Sequence, residues 1–118
     1  MLQQVISNNM TWKVAGIDTN NSGWSQSPLA SFLISSQTTQ GKAALIETIQ
    51  RQGNEPPRHS HAEVDETFYV MAGQMTFDVD GQTISAPAGT SVFIERGKEY
   101  SFTVDTATAN TLVLLTAA

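Results

Sequence analysis

Turn signals follow one another so closely in the second half of this chain that only short strands fit between them. Gly73, Asp80-Gly81, Pro87-Ala88-Gly89 and Arg96-Gly97-Lys98 punctuate it. The intervening runs are Gln74–Val79 (QMTFDV), Gln82–Ala86 (QTISA), Thr90–Ile94 (TSVFI) and Glu99–Val104 (EYSFTV). They are rich in β-branched and aromatic residues, which suit a pleated, half-buried surface. Asp-Gly between two alternating runs is a strong hairpin signal, because both residues tolerate the positive φ that a tight hairpin turn needs. Side chains alternate along a strand, so Tyr100, Phe102 and Val104 share one face.

The same reading extends upstream. Ala30–Ser36 and Ala43–Gln50 are strands joined by the turn Thr38–Lys42, with Gly41 at its sharp point. In the second of these, Ala44, Ile46 and Thr48 share one face, and Leu45, Glu47 and Ile49 the other. Glu47 then either points into an interior near a site or lies as a paired acid at the rim. Thr106–Asn110 reads as a polar loop and Thr111–Thr116 (TLVLLT) as the last strand. Thr11–Ile17 reads as a short strand and Asp18–Pro28 as a loop, with Trp12 and Trp24 packing on the domain or on a partner chain. That gives about nine short strands and no 3.6-residue periodicity. The expected class is all-β, a sandwich or barrel, with residues 1–30 as an extension and 31–118 as the barrel. So many strand edges favour closure or pairing of two copies.

Composition narrows the function. With 118 residues, one domain with one core is expected. A net charge of −5 and only six Lys and Arg, scattered along the chain, argue against nucleic acid as a partner. There is no cysteine, so any metal must be held by nitrogen and oxygen. No apolar run approaches the ~20 residues of a membrane-spanning helix. The start, MLQQVISNNM, lacks the basic and apolar regions of a signal peptide, so a cytoplasmic protein is expected.

The chemistry concentrates in Gly53–Gly73, GNEPPRHSHAEVDETFYVMAG. Both histidines of the chain, His59 and His61, lie here, with Glu63, Asp65 and Glu66 close behind. Glu-Pro-Pro enforces extended or turn backbone and blocks a helix. His-x-His on an extended strand puts both imidazoles on one face. Glu66 cannot continue that face; a turn over Ala62–Asp65 brings it opposite the histidines as Thr67–Met71 runs back. Two imidazoles and one carboxylate make a three-donor face for a divalent ion, with open positions left for water, oxygen or substrate. The plainer reading is that the histidines only hydrogen-bond within a polar barrel mouth. Glu63 and Asp65 read as solvated loop residues.

The spacing Gly53, five residues, His59-x-His61, four residues, Glu66, six residues, Gly73 resembles the first motif of the cupin superfamily at every defining position. The resemblance runs from about Ser31 to Leu115, toward the small single-domain, quercetinase-like cupins. It implies a double-stranded β-helix, a jelly-roll-like barrel, with a metal in its mouth, and frequent homodimers. Relatives of this kind include dioxygenases, isomerases, decarboxylases and binding modules without activity. The family's second motif, Gly, five residues, Pro-x-Gly, two residues, His, three residues, Asn, fits in two registers. From Gly81 it puts Val92 at the histidine position. From Gly89 it puts Tyr100 there and Val104 at the asparagine position, with Glu95-Arg96-Gly97 as the turn; this register leaves room for the Asp80-Gly81 hairpin and is preferred. Glu95 and Arg96 then read as a surface pair.

The third histidine is missing in either register. The implied metal set is His59, His61 and Glu66, with Tyr100 either a fourth ligand or a hydrogen-bond donor to bound water or substrate. The ion is divalent: Fe, Mn, Ni or Zn. The implied catalytic groups are Glu66, which could shuttle a proton, and Tyr100. Three functions remain open. One is a dioxygenase-like or isomerase-like metalloenzyme acting on a small chelating substrate such as an enol or hydroxyketone. Another is a non-catalytic module for a small sugar, acid or aromatic ligand. The third is a dimer in which metal only ties strands together. Phe68, Met71, Met75, Phe77 and Phe102 serve as core, as pocket lining, or both.

Overall fold

The structure is a computed structural model that describes residues 30–34 and 39–117. The strand expected at Thr11–Ile17 and the packing of Trp12 and Trp24 fall outside the described residues. Within them the chain forms eight strands: β1 (Ala30–Ile34), β2 (Ala43–Arg51), β3 (Asp65–Ala72), β4 (Gln74–Val79), β5 (Gln82–Pro87), β6 (Ser91–Ile94), β7 (Tyr100–Val104) and β8 (Thr108–Thr116). They make a five-stranded sheet in the order β1-β2-β8-β3-β6 and a three-stranded sheet in the order β5-β4-β7. Every pairing is antiparallel.

Alternation decides which side chains lie between the sheets. Ala44, Ile46, Thr48 and Gln50 of β2, Glu66, Phe68 and Val70 of β3, and Ala109, Thr111, Val113 and Leu115 of β8 are buried. The second sheet answers with Met75, Phe77 and Val79 of β4, Ala86 of β5, and Tyr100, Phe102 and Val104 of β7. Phe68, Phe77 and Phe102 meet with ring centroids 5.1, 5.5 and 5.9 Å apart. These tilted contacts are the kind aromatic quadrupoles favour, and they form a layer across the middle of the interior. Met75 is fully buried, whereas Met71 lies at the irregularity where β3 and β8 slip register after Val70, and is only half-buried.

One open reading is decided here and one expectation needs correction. Glu47 sits on the outward face of β2 and is exposed, so the exposed-acid reading holds and the interior one does not. The loop expected over Thr106–Asn110 is shorter, because β8 begins at Thr108. Polar composition suggested a loop. Yet β2 runs on to Arg51 and supplies ladder partners for Thr108, Ala109 and Asn110, and Ala109 is buried.

The turns form where glycine permits them. Gly73, between β3 and β4, has φ +90°, and a Cβ there would stand 2.5 Å from the Thr108 carbonyl oxygen and 2.9 Å from Ala109 Cα. Only glycine lets the hairpin lie this close to β8. Asp80-Gly81 closes the β4–β5 hairpin with φ of 53° and 84°, as a two-residue turn of this type requires.

Candidate metal centre

The segment before β3 is a strap along the open edge of β7. Pro56 and Pro57 have no N–H to give a ladder, so the strap does not become the strand expected for His-x-His. It pairs with β7 at one residue only. His59 N–H donates to the Tyr100 carbonyl at 3.0 Å, and Tyr100 N–H donates back to His59 at 2.8 Å. Glu55 holds the other end of the strap: its carboxylate accepts the Val104 N–H at 2.9 Å. That bond keeps the Glu55 carboxyl below its ordinary pKa. Arg58 pins the middle, 2.9 Å from Asp78 and 3.4 Å from the Ser101 hydroxyl.

Although the strap is not a strand, its extended backbone at 59–61 still turns both imidazoles to one side. Their ring centroids are 5.0 Å apart and the rings nearly perpendicular. Bends at Ala62 and Glu63 return the chain into β3, and Glu66 arrives on the inner face. His61 Nε2 is 3.6 Å from Glu66 Oε1. Tyr100 packs against His59 at 4.6 Å and stands 6.4 Å from His61. The register in which Tyr100 follows Gly97 thus brings Tyr100 beside the histidine pair. Val92 of the other register is a core residue of β6.

The surroundings of these groups are unusual. Glu66 and Tyr100 are each 1% exposed, and the His61 side chain is 30% exposed. His61 Nε2, both carboxylate oxygens of Glu66 and the Tyr100 hydroxyl are buried with no hydrogen-bond partner. Such groups are costly to leave unmet, so each asks for an explanation. Burial pushes the Tyr100 phenol well above its ordinary pKa, and the nearby Glu66 carboxylate pushes it further. No full hydrogen bond joins the two groups, so Glu66 acts on the phenol mainly through charge. His59 Nδ1 lies 2.8 Å from the Pro57 carbonyl. With Nδ1 donating that bond, Nε2 is left with its lone pair free.

A divalent ion would suit this donor chemistry: two imidazole nitrogens and a buried carboxylate with no hydrogen-bond partner. Among the described residues, however, no three of His, Cys, Asp and Glu stand together as a finished metal cluster. His61 and Glu66 form the close pair, and His59 stands beside them.

Two residues set aside in the sequence have structural work. Asp65 is not a solvated loop acid. It opens β3 and accepts from Arg96 three times, from the backbone N–H at 2.8 Å, from Nε at 3.2 Å and from Nη2 at 3.0 Å. This pairing lowers the Asp65 pKa. Arg96 accordingly pairs with Asp65 at the end of the β3–β6 ladder, and Glu95 stands 3.9 Å from Lys98. A signal was present in the sequence: an arginine directly before the turn glycine and an acid directly before Glu66. Nothing in the sequence joined them. Glu63 is exposed, as expected.

The fold recurs in solved structures. A predicted oxalate decarboxylase from Thermotoga maritima superposes with TM-score 0.70 at 20% identity, over 75% of this chain and 79% of that one. The conserved SPY1581 protein of unknown function from Streptococcus pyogenes gives 0.68 at 17% identity, over 98% and 96%. KdgF from a Halomonas species gives 0.68 at 12% identity, over 92% and 96%. At these identities the likeness concerns the fold. No curated protein matches the sequence. The family model for the cupin domain matches residues 45–116, more than half of the chain and the whole of β3 to β8. With two antiparallel sheets closed over one interior, and the histidine strap and Glu66 at its mouth, the chain belongs to the cupin family.

Proposed function

We propose that this cupin binds a divalent metal ion through His59, His61 and Glu66 and acts on a small chelating organic molecule at that ion. The observation that carries the proposal is the set of unpartnered buried atoms, His61 Nε2, both Glu66 oxygens and the Tyr100 hydroxyl, gathered in one place. A cation would satisfy the nitrogen and the carboxylate together. It would supply Lewis-acid or redox chemistry of the dioxygenase or isomerase kind.

The chain's own residues have separable duties. His59 is oriented by the Pro57 carbonyl, and this fixes which ring nitrogen faces the site. Glu66 supplies the negative charge and, as a carboxylate beside the reacting molecule, can take and return a proton. The Tyr100 hydroxyl makes no full hydrogen bond within the protein, although Glu66 is near, so it can donate to an oxygen of the bound molecule. His61, the most exposed of the buried set, marks the side from which that molecule enters. A second reading has support of its own. The lack of a finished three-donor cluster among the described residues suits a module that holds a small ligand without metal.

Elemental analysis of protein purified without chelator or a nickel column separates the two. Near-stoichiometric metal in the parent, lost in the His59→Ala/His61→Ala double variant, is the expected result. A parent that stays metal-free after reconstitution would transfer the site to the non-catalytic reading.

A further inference from the structure

The turn between β6 and β7 contacts the site at three separate points. Arg96 grips Asp65, the residue directly before Glu66, with its backbone N–H and with both prongs of its guanidinium, at 2.8, 3.2 and 3.0 Å. Gly97 N–H donates to the His61 carbonyl at 2.7 Å. Tyr100, where the turn re-enters β7, exchanges two backbone bonds with His59. Glu66, His61 and His59 come from different parts of the fold: the first strand turn of β3, and a strap that makes a single bridge. Neither the strap nor the start of β3 has a ladder that fixes one against the other, since β3 pairs only with β6 and β8. Apart from the His61–Glu66 contact itself, the residues of this turn are, among the described residues, the ones bonded to both sides.

We propose that Arg96, through its forked pairing with Asp65, is the positioning residue that sets the spacing between Glu66 and the His59/His61 strap. This rests on the reading of the site as a metal centre. Arg96 touches no ligand atom and has no part in the chemistry; it holds one wall of the site while the adjoining Gly97 holds the other. A planar guanidinium fork suits this because it fixes direction as well as distance, which a lysine ammonium cannot do. The pair is partly exposed, with Arg96 33% and Asp65 22% accessible. Its effect therefore falls on geometry more than on the stability of the fold.

The test uses the full chain in four forms: Arg96→Gln, Asp65→Asn, the double variant, and Arg96→Lys. Glu95→Gln, on the exposed neighbour, is the control. Two readouts are taken. The first is cobalt(II) affinity by competition with a chromophoric chelator. The second is the ring resonances of His59 and His61 in metal-free protein, unambiguous because the chain has two histidines. Each single change should weaken cobalt binding about tenfold, the size usual for removing an outer-shell partner. The double variant should lose little more than the worse single, and Arg96→Lys should recover only part. The His61 resonances should move in metal-free Arg96→Gln while Glu95→Gln leaves them in place. Folded variants that keep cobalt affinity within about twofold of the parent, or losses that simply multiply in the double variant, would overturn the proposal. A fall in Tm with no change in affinity or in ring resonances would make the pair a fold contact only, and overturn it too. If the parent binds no cobalt, the metal reading fails by itself. The ring resonances then decide the positioning role alone: movement supports it and their constancy overturns it.

Discussion

The two ends of the barrel interior are both polar, yet they are finished differently. At the far end, Thr48, Gln50 and Thr111 sit in the rows next to Val70, Met75 and Val104. There the Gln50 amide donates to the Thr48 hydroxyl at 2.9 Å, and among the polar side-chain atoms of these three residues only the Thr111 hydroxyl is an unmet buried group. At the mouth, Glu66 lies in the row with Ala44, Leu115 and Ile94, and Tyr100 opens β7. Here every buried polar side-chain atom of Glu66 and Tyr100, and Nε2 of His61, is without a hydrogen-bond partner. The aromatic layer of Phe68, Phe77 and Phe102 separates the two. A fold can absorb polar residues in its interior by pairing them, as at the far end. It leaves them unpaired where something from outside is to be bound, and bears the cost in stability there.

The largest expected effect comes from removing the layer that keeps the ends apart. Phe77 is fully buried and in ring contact with both Phe68 and Phe102. Phe77→Ala should cost about 3–5 kcal/mol, from lost transfer energy and the cavity left behind. Denaturant unfolding would measure it, and a loss under about 1.5 kcal/mol would mean that the layer collapses freely and the ends are not structurally separate. Next is Gly73→Ala, at the far end. It forces an alanine into positive φ and places a Cβ 2.5 Å from backbone oxygen, where no side chain can yield. A cost on the order of 3 kcal/mol is expected. Gly53→Ala, with the same φ but open space around it, should show only the conformational part, about 1 kcal/mol.

The comparison becomes sharper with substitutions that stabilise. Glu66→Leu removes a buried carboxylate that has no hydrogen-bond partner and only His61, 3.6 Å away, beside it, so apo stability should rise by about 1–2 kcal/mol while metal binding is lost. Thr111→Val removes a buried hydroxyl of nearly equal shape. It should raise stability by about 1 kcal/mol and leave metal binding as it was. The pair of thermal melts, with and without added metal, distinguishes the ends. If Glu66→Leu destabilises the apo protein instead, the carboxylate has a structural partner and the mouth is not a binding site awaiting its ligand.

Much of this was legible in the sequence, for definite reasons. Strands and hairpins could be read because Asp80-Gly81, Pro87-Ala88-Gly89 and Gly97 punctuate alternating runs, and alternation put Tyr100, Phe102 and Val104 on one face, which the structure buries. The grouping of His59, His61 and Glu66 was legible from period-two geometry and one turn, and Tyr100 was added to it by the resemblance to the cupin second motif in the register from Gly89. What sequence patterns missed were relations between segments distant in the chain. Asp65 and Arg96 are 31 residues apart, and each reads as an ordinary surface charge until β3 and the β6–β7 turn are brought together. Glu47 was left between two readings because which face of β2 meets the other sheet is a tertiary choice, and Leu45 and Ile49 make its own face apolar too. The strap failed as a strand because the two prolines that make it extended also deprive it of donors.

The smallest effect concerns Glu55, which joins the two ends. The strap runs along β7 from the far end, where Glu55 accepts the Val104 N–H, to the mouth, where His59 pairs with Tyr100. Glu55→Gln keeps an acceptor but removes the charge that strengthens the bond. In a partly solvated setting the cost should be about 0.5 kcal/mol. Its sign with pH can be worked out. The folded-state pKa of Glu55 is lowered, so its extra stabilisation is present above the unfolded-state pKa of about 4.3 and is lost as pH falls through the lower folded value. The Tm gap between the parent and Glu55→Gln should therefore be full at neutral pH and close as pH falls below that ordinary value and through the lowered folded one. A gap that persists unchanged in acid would show that the Glu55 contribution is steric and not ionic. The far end of the strap would then be held by the fit of the Glu55 side chain against Val104 and not by its charge, and the positions of His59 and His61 would not depend on the ionisation of Glu55.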